Sequence, residues 1–312
     1  MAGRKAVYFF CTDPALDEVA PRVFEASREL FPLSETDMTV DGYPVLSLTA
    51  PSGDSLYYVR TETVLCMAHD RYIPVINTLF SDCDLAVLVN WHGGQNAPDR
   101  VLCIHTVGDV ASAAFGPSEP QLSTHLARAL EKHRQALSLD TFSVTTEATH
   151  WSGIVYGGET AWILETPVPF LDLEIGSTRE SYLDPAAAQC IALALGNLFA
   201  ETGRYPVALY CGGMHFEDTI TGAVLHPTHP VALTHILPSR WLETEAYTGD
   251  GGRARIRACL DSIRGGVQAI VIHEKLKREQ RDLLEAIAAE AGLPLLRRKA
   301  LKAPEQTPLY SG

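Results

Sequence analysis

No uninterrupted apolar run approaches the ~20 residues that a membrane-spanning helix needs, so none is expected in these 312 residues. There is no GxxxxGK[ST], which excludes a Walker-type phosphate cradle, and no GxGxxG after a strand, which excludes the ordinary dinucleotide site. GxSxG and HExxH are absent as well, since His273-Glu274 lacks its second histidine. No CxxC occurs among the scattered Cys11, Cys66, Cys83, Cys103, Cys190, Cys211 and Cys259. Most of these sit in apolar runs, as reduced buried thiols do, and point to the cytoplasm. Arg4-Lys5 precede only the short run Ala6 to Cys11, stopped by Asp13, which reads as a first buried strand rather than a leader.

Positive charge is scarce. The chain has 25 Lys+Arg against 38 Asp+Glu, a formal net charge of −13. A general nucleic-acid binder usually carries the opposite surplus, so an RNA ligand would need a local basic patch. Lys275, Lys277, Arg278, Arg281 and Arg297-Arg298-Lys299 form a candidate phosphate track, although each run alone reads as a solvated helix face.

What is present is an ordinary globular balance, 46% hydrophobic and 20% charged. Strand-like runs fall at Lys5–Cys11, Ser55–Arg60, Asp84–Trp91, Val101–His105, Thr141–Thr146, Phe170–Ile175, Pro206–Cys211, Val267–His273 and Pro294–Arg297. Helical patterns lie between them at Asp17–Leu30, Gln121–Leu137, Asp184–Ala200 and Gln280–Ala291. Asp184-Pro185 supplies an N-cap with proline at the first helical position, and Gly292 a C-terminal glycine. Gly249, Gly251 and Gly252 read as an acidic-flanked turn. The alternation predicts a three-layer α/β/α sandwich with a mixed, mostly parallel sheet. We expect one domain over residues 1–300, an excursion around Asp218–Thr234, and a frayed tail over 301–312.

The informative pattern is where histidines fall. The run ending at Trp91 continues into His92-Gly93-Gly94, and the next ends at His105. Others lead into Glu147-Ala148-Thr149-His150, into Glu174-Ile175-Gly176-Ser177, and into Gly212-Gly213-Met214-His215. Ligands of open α/β sheets bind at the carboxyl ends of the strands. Parallel strands would bring these five ends to one rim, with imidazoles for proton transfer or metal ligation and carboxylates to orient them. Any one such histidine is more often an edge residue than a catalyst; the coincidence of five carries the reading. His69, His125, His133 and His273 lie in helical or strand-edge contexts, and His226-Pro227-Thr228-His229-Pro230 reads as an extended loop. Trp91 and Trp151 neighbour the rim and, beyond packing, can stack on a base or an aromatic side chain.

These motifs, in this order, resemble the archaeal and plant type of D-aminoacyl-tRNA deacylase. The resemblance rests on Glu147-Ala148-Thr149-His150, on Phe170 through Ser177, and on Val207-Ala208-Leu209 with Gly212-Gly213-Met214-His215. His235-Ile236-Leu237-Pro238, the His92 and His105 segments and Asp41-Gly42-Tyr43-Pro44-Val45 fit the same order, covering roughly Ala6 to His273. It implies a phosphorylase/hydrolase-like fold and hydrolysis of the ester joining a D-amino acid to the tRNA 3′ end, a proofreading reaction. It implies a cytoplasmic protein, for which a monomer is expected, and zinc is associated with the family. The chain departs from the pattern at Met214, where a third glycine is usual and which would narrow the room near His215. It departs again at Trp151, at Thr234 and at the glycines after His92.

The expected roles follow. His150 or His215 is the base or a metal ligand, with Glu147 and Glu174 orienting an imidazole or completing a metal shell. Substrate would be met by His92, Gly93, Gly94, His105, Gly212, Gly213, Met214 and His235. A zinc ion would draw on His92, His150, His215 and Glu174, while a metal-free version uses a histidine base held by a carboxylate. The competing readings are a metal-assisted hydrolase of a small ester or amide that no longer uses tRNA, a nucleoside- or peptidyl-tRNA-processing enzyme on a similar sheet, and a non-catalytic RNA- or metabolite-binding module.

Overall fold

Runs such as Ala6–Phe10 and Leu85–Val89 carry apolar side chains at every position, so they are stable only where both faces of a sheet are covered. All of these residues are buried. The computed structural model describes residues 3–50, 52–94 and 97–310. Its strands are β1 (Lys5–Cys11), β2 (Ser34–Val40), β3 (Tyr43–Thr49), β4 (Ser55–Thr61), β5 (Leu85–His92), β6 (Arg100–Thr106), β7 (Gly108–Asp109) and β8 (Ala114–Phe115). They continue with β9 (Ser143–Thr146), β10 (Phe170–Ser177), β11 (Val207–Cys211), β12 (Ala232–Leu237), β13 (Ala269–Ile272) and β14 (Leu295–Arg297).

The fold is α/β with mixed, mostly parallel sheets, as the alternation predicts. The strands divide between two main sheets, where a single sheet was expected. The larger has the order β2-β3-β4-β1-β5-β10-β6-β9, the smaller β12-β11-β13-β14, and β7 pairs with β8. The smaller sheet is parallel throughout. In the larger, β10 pairs parallel to β5 but antiparallel to β6.

Alternation along β11 and β13 links the two hydrophobic clusters. Ala208, Tyr210, Ala269 and Val271 join the main core, whereas Leu209, Cys211, Ile270 and Ile272 face Ile256, Cys259, Leu284 and Ile287 in a second one. Helices Ala20–Leu30, Pro120–Ala136 and Pro185–Gly196 pack against one another beside the larger sheet. Asp184 caps the last of these by accepting from the N–H groups of Ala186 and Ala187. All seven cysteines are buried and unpaired. Among the described residues no helix is long and apolar enough to cross a membrane.

Two local expectations are corrected. Gly249, Gly251 and Gly252 open the helix Gly249–Asp261 rather than form a free turn. A Cβ at Gly252 would lie 2.3 Å from the Tyr247 carbonyl carbon, so the close approach there requires glycine. The segment expected to fray is docked as far as it is described: Leu301 and Pro304 are buried, and Tyr310 donates its hydroxyl to the Pro230 carbonyl. Gly312 and Ser311 lie outside the described residues.

Because Leu301 is 2% exposed in the main cluster, Leu301→Ala should cost about 2–5 kcal/mol. Urea unfolding measures this, and an unchanged midpoint would mean that the tail is only loosely attached.

Candidate active site

Residues two apart on a strand share a face, and three neighbouring strands of the larger sheet use this to build a polar patch. Asn90 and His92 come from β5, Asp172 and Glu174 from β10, and Cys103 and His105 from β6. The register sets Glu174 between Asn90 and Cys103, Asp172 opposite His105, and Gly176 opposite His92. A Cβ at Gly176 would sit 2.6 Å from that of His92, so only glycine leaves the imidazole its place.

The site therefore does not lie along one rim of parallel strand ends. β6 runs against β10, and His105 reaches the patch from the sheet face rather than from a shared carboxyl edge. The remaining groups come from the seam between the two sheets. The segment after β9 donates from Glu147 N–H to Ile104, from Ala148 N–H to His215 and from Thr149 N–H to Ile236. This ties Glu147 and His150 to β6 on one side and to the second sheet on the other.

The five strand-end groups do converge. His215 Nε2 donates to Glu147 Oε2 at 2.9 Å. His92 Nε2 lies 3.3 Å from Glu147 Oε1, within ion-pair reach but outside hydrogen-bonding geometry. The rings of His105 and His150 stack with centroids 3.7 Å apart, and His215 follows at 4.9 Å from His150. His92 is held by Ser177 Oγ, 2.8 Å from its Nδ1, and its carbonyl accepts from the Tyr182 hydroxyl.

Burial divides the charges of this cluster. It would raise the pKa of Glu147, but the hydrogen bond from His215 and the adjacent His92 outweigh it and hold this carboxyl well below its usual range. For Glu174, burial and then the Glu147 charge outweigh the nearby imidazole of His92 and push it well above that range. Burial likewise lifts Asp172 to about 7. It also holds His150, aided by His105, well below the ordinary imidazole value. Two neighbouring carboxyls pushed apart in this way provide one fixed anion and one fixed acid.

Hydrogen-bond partners settle the tautomer of His150. Its Nδ1 is 2.8 Å from the Ala148 carbonyl and must donate there, leaving Nε2 as an acceptor. His105 Nδ1 faces the Thr106 carbonyl at 3.3 Å, which turns a Nε2 lone pair toward Asp172 Oδ2 at 3.5 Å and Glu174 Oε1 at 3.8 Å. His105 Nε2, Asp172 Oδ2 and Glu147 Oε1 are buried without hydrogen-bond partners. Buried ligand atoms left without partners at such distances fit a bound cation. Three groups have ligand atoms close enough for one: His92, Cys103 and Glu147; His105, Glu147 and His150; His105, Asp172 and Glu174. The expected set of His92, His150, His215 and Glu174 is thus not one ligand shell. Its first two members and Glu174 fall in three different groups, and His215 falls in none of them.

Above the cluster is a cleft of about 610 Å³, lined by His92, Gly93, His150, Glu174 and His215, with Trp91, Trp151, Tyr156 and Trp241 as an aromatic wall and Asp109 and Arg240 at its margin. Several expected contacts lie elsewhere. Gly94, Gly212, Gly213, Met214 and His235 are not among its lining residues. Gly212 N–H is taken by the Leu237 carbonyl, so it has no donor left for substrate. Met214 is 70% exposed and does not narrow the space at His215. His235 is a buried tie between Thr106 and Ser262, its pKa lowered to about 4 by burial. Of the candidate phosphate track, Lys277 pairs with Glu243, Arg278 with Asp282, and Arg298 with Glu217 and Glu274, whereas Lys275, Arg281, Arg297 and Lys299 have no ion pair among the described residues.

Cys103 and Asp172 were not singled out from sequence, although each lies two residues before a group that was, on the same face. Trp241 and Arg240 carry no such signal, because they follow β12 in a stretch with no motif of its own.

Residues 79–296 match the family model described as D-aminoacyl-tRNA deacylase. A protein of that name from Thermococcus onnurineus is 26% identical over 90% of this chain and 96% of its own length. Another, from Methanocorpusculum labreanum, is 28% identical over 68% of this chain, but the match spans only 44% of that longer relative. A crystal structure described as a conserved protein of unknown function superposes with a TM-score of 0.72 at 19% identity, covering 96% of this chain and 97% of that one, a likeness of fold alone.

In metal-free protein, replacing Glu147 should reverse the balance at His92. Burial is the largest single influence there and lowers its pKa, yet the carboxylates of Glu147 and Glu174 together raise it above the usual imidazole value. In Glu147→Gln the His92 pKa is expected to fall below that value. An NMR titration of chelator-treated protein measures this, and an unshifted His92 would show that Glu147 is not its counter-ion.

Proposed function

The chain is a hydrolase of the D-aminoacyl-tRNA deacylase family, which acts on the ester between a D-amino acid and tRNA, and from that premise we propose that the His150 cluster is where this ester is cleaved. The observation that supports this reading most directly is the fixed tautomer of His150: a neutral imidazole with Nε2 free to accept, at the cleft, beside an ionised Glu147.

An aminoacyl ester is already activated, so the protein needs to hold it, take a proton from water and stabilise the charge that develops. His150 Nε2 accepts the proton of the attacking water and returns it to the ribose oxygen as the ester C–O bond breaks, releasing the D-amino acid and the tRNA 3′ end. The imidazolium formed is stabilised by the Glu147 carboxylate, which His215 and His92 hold in place. Glu174, kept as the neutral acid, donates a hydrogen bond toward the substrate from the cleft floor. The aromatic wall excludes bulk water and offers faces for the terminal adenine.

The donor set of histidine, carboxylate and thiol suits zinc better than magnesium. His105, Glu147 and His150 would hold the ion, with Asp172, Glu174 and Cys103 as neighbouring donors, and His150 Nε2 would then be a ligand in place of the base. When bound, zinc supplies Lewis acidity, polarising the ester carbonyl and bringing the pKa of a water to about 7. The protein acts in the cytoplasm as a monomer, and residues 3–310 work as one unit because β11 and β13 feed alternate side chains to both clusters.

Purified protein should release D-tyrosine from D-tyrosyl-tRNA and leave matched L-tyrosyl-tRNA intact, with His150→Ala lowering kcat about 100-fold or more. Undiminished turnover in that variant would remove His150 from the chemistry. Equal hydrolysis of both esters would remove the stereochemical reading.

A further inference from the structure

Among the described residues, one permanent cation lines the cleft. Among its lining residues Arg240 is the only lysine or arginine, and it stands with Trp241 at the margin, on the short helix Ser239–Leu242 that follows β12. Its guanidinium lies over the Trp241 ring, 4.8 Å from the centroid. Among the described residues it has no carboxylate partner. More than half of the chain's other arginines do have one, as Arg128 has Glu201 and Arg298 has Glu217. In a protein of net charge −13, an exposed arginine that lines the reactive cleft without a carboxylate partner, its guanidinium over an aromatic ring, suits an anion.

The chemistry of the substrate says which anion. In an aminoacyl-tRNA the ester is on the ribose of the terminal adenosine, and the nearest phosphodiester is on the 5′ oxygen of that same ribose. With the ester at His150, the ribose and its 5′ phosphate would extend into the cleft that Arg240 also lines. We propose that Arg240, held by Trp241, binds this last phosphodiester of the acceptor strand, so that the RNA is recognised at the cleft mouth rather than along the basic run at the C-terminal end. The proposal rests on the deacylase reading of the site. It gives an acidic protein a phosphate contact without a basic surface, because a planar guanidinium can make paired hydrogen bonds to two phosphate oxygens.

Two substrates separate this contact from the chemistry: D-tyrosyl-tRNA and D-tyrosyl-adenosine, which carries the same ester and ribose but no phosphate. For Arg240→Gln, the ratio of kcat/KM for the tRNA to kcat/KM for the adenosine ester should fall about tenfold, the loss expected of one charge-assisted hydrogen bond. The change should be mainly in KM, and Arg240→Lys should recover part of it. The salt dependence of tRNA binding should lose about 0.7 of a unit of log–log slope. An unchanged ratio, with both substrates affected equally or not at all, would overturn the proposal. If the unaltered protein cleaved neither ester, the deacylase reading would fall and take this contact with it. If it cleaved both but Arg240→Gln left the ratio intact, only the phosphate contact would be lost.

Discussion

The arrangement depends on one buried carboxylate. Glu147 is 1% exposed and carries its charge where burial opposes it. Removing such a group from water costs several kcal/mol, which an isolated carboxylate would avoid by taking up a proton. The hydrogen bond from His215 and the cation-favouring position of His92 offset that cost. Neither imidazole can leave without stranding the charge, so the pair is held by the penalty for separating it. Through this anion the two sheets share a reason to stay in register at the seam.

The rest of the site reads as consequences. With Glu147 ionised, Glu174 is driven to the neutral form, because two buried anions this close repel each other. Burial, aided by His105, keeps the stacked His150 neutral with its Nε2 lone pair. A base, a fixed anion and a fixed acid thus arise from a few residues whose types alone would not distinguish them. In the same cluster His105 Nε2, Asp172 Oδ2 and Glu147 Oε1 are buried without hydrogen-bond partners, an arrangement that a divalent cation fits.

Much of this was legible in the chain. The strands rich in Val, Leu and Phe are where their composition puts them, and Glu147, His150, Glu174, His215 and His92 do meet. Strand direction was less visible, because it is set by topology and not by the residues of the strand itself. A signal existed: the 93–99 connection between β5 and β6 is too short for a parallel crossover, which takes a dozen residues or more. The hairpin of β2 and β3 was hidden by Pro44 and by the polar, half-exposed β2, although Asp41-Gly42 is a strong turn signal and both residues have positive φ. Pro74 likewise masked the helix His69–Leu79. His235 misled for a different reason, since a buried imidazole tying two hydroxyls together leaves the same sequence trace as one facing a ligand.

The account stands most directly on Glu147 acting as an anion, which a comparison of kcat for Glu147→Gln and Glu147→Asp in folded protein would test. Gln keeps the shape and removes the charge, whereas Asp keeps the charge and shortens the reach. The account predicts that Gln loses about 100-fold or more in release of D-tyrosine from its tRNA ester and that Asp retains the larger share of activity. Full activity in Glu147→Gln would contradict it, because the histidines would then be shown to work without the charge that positions them.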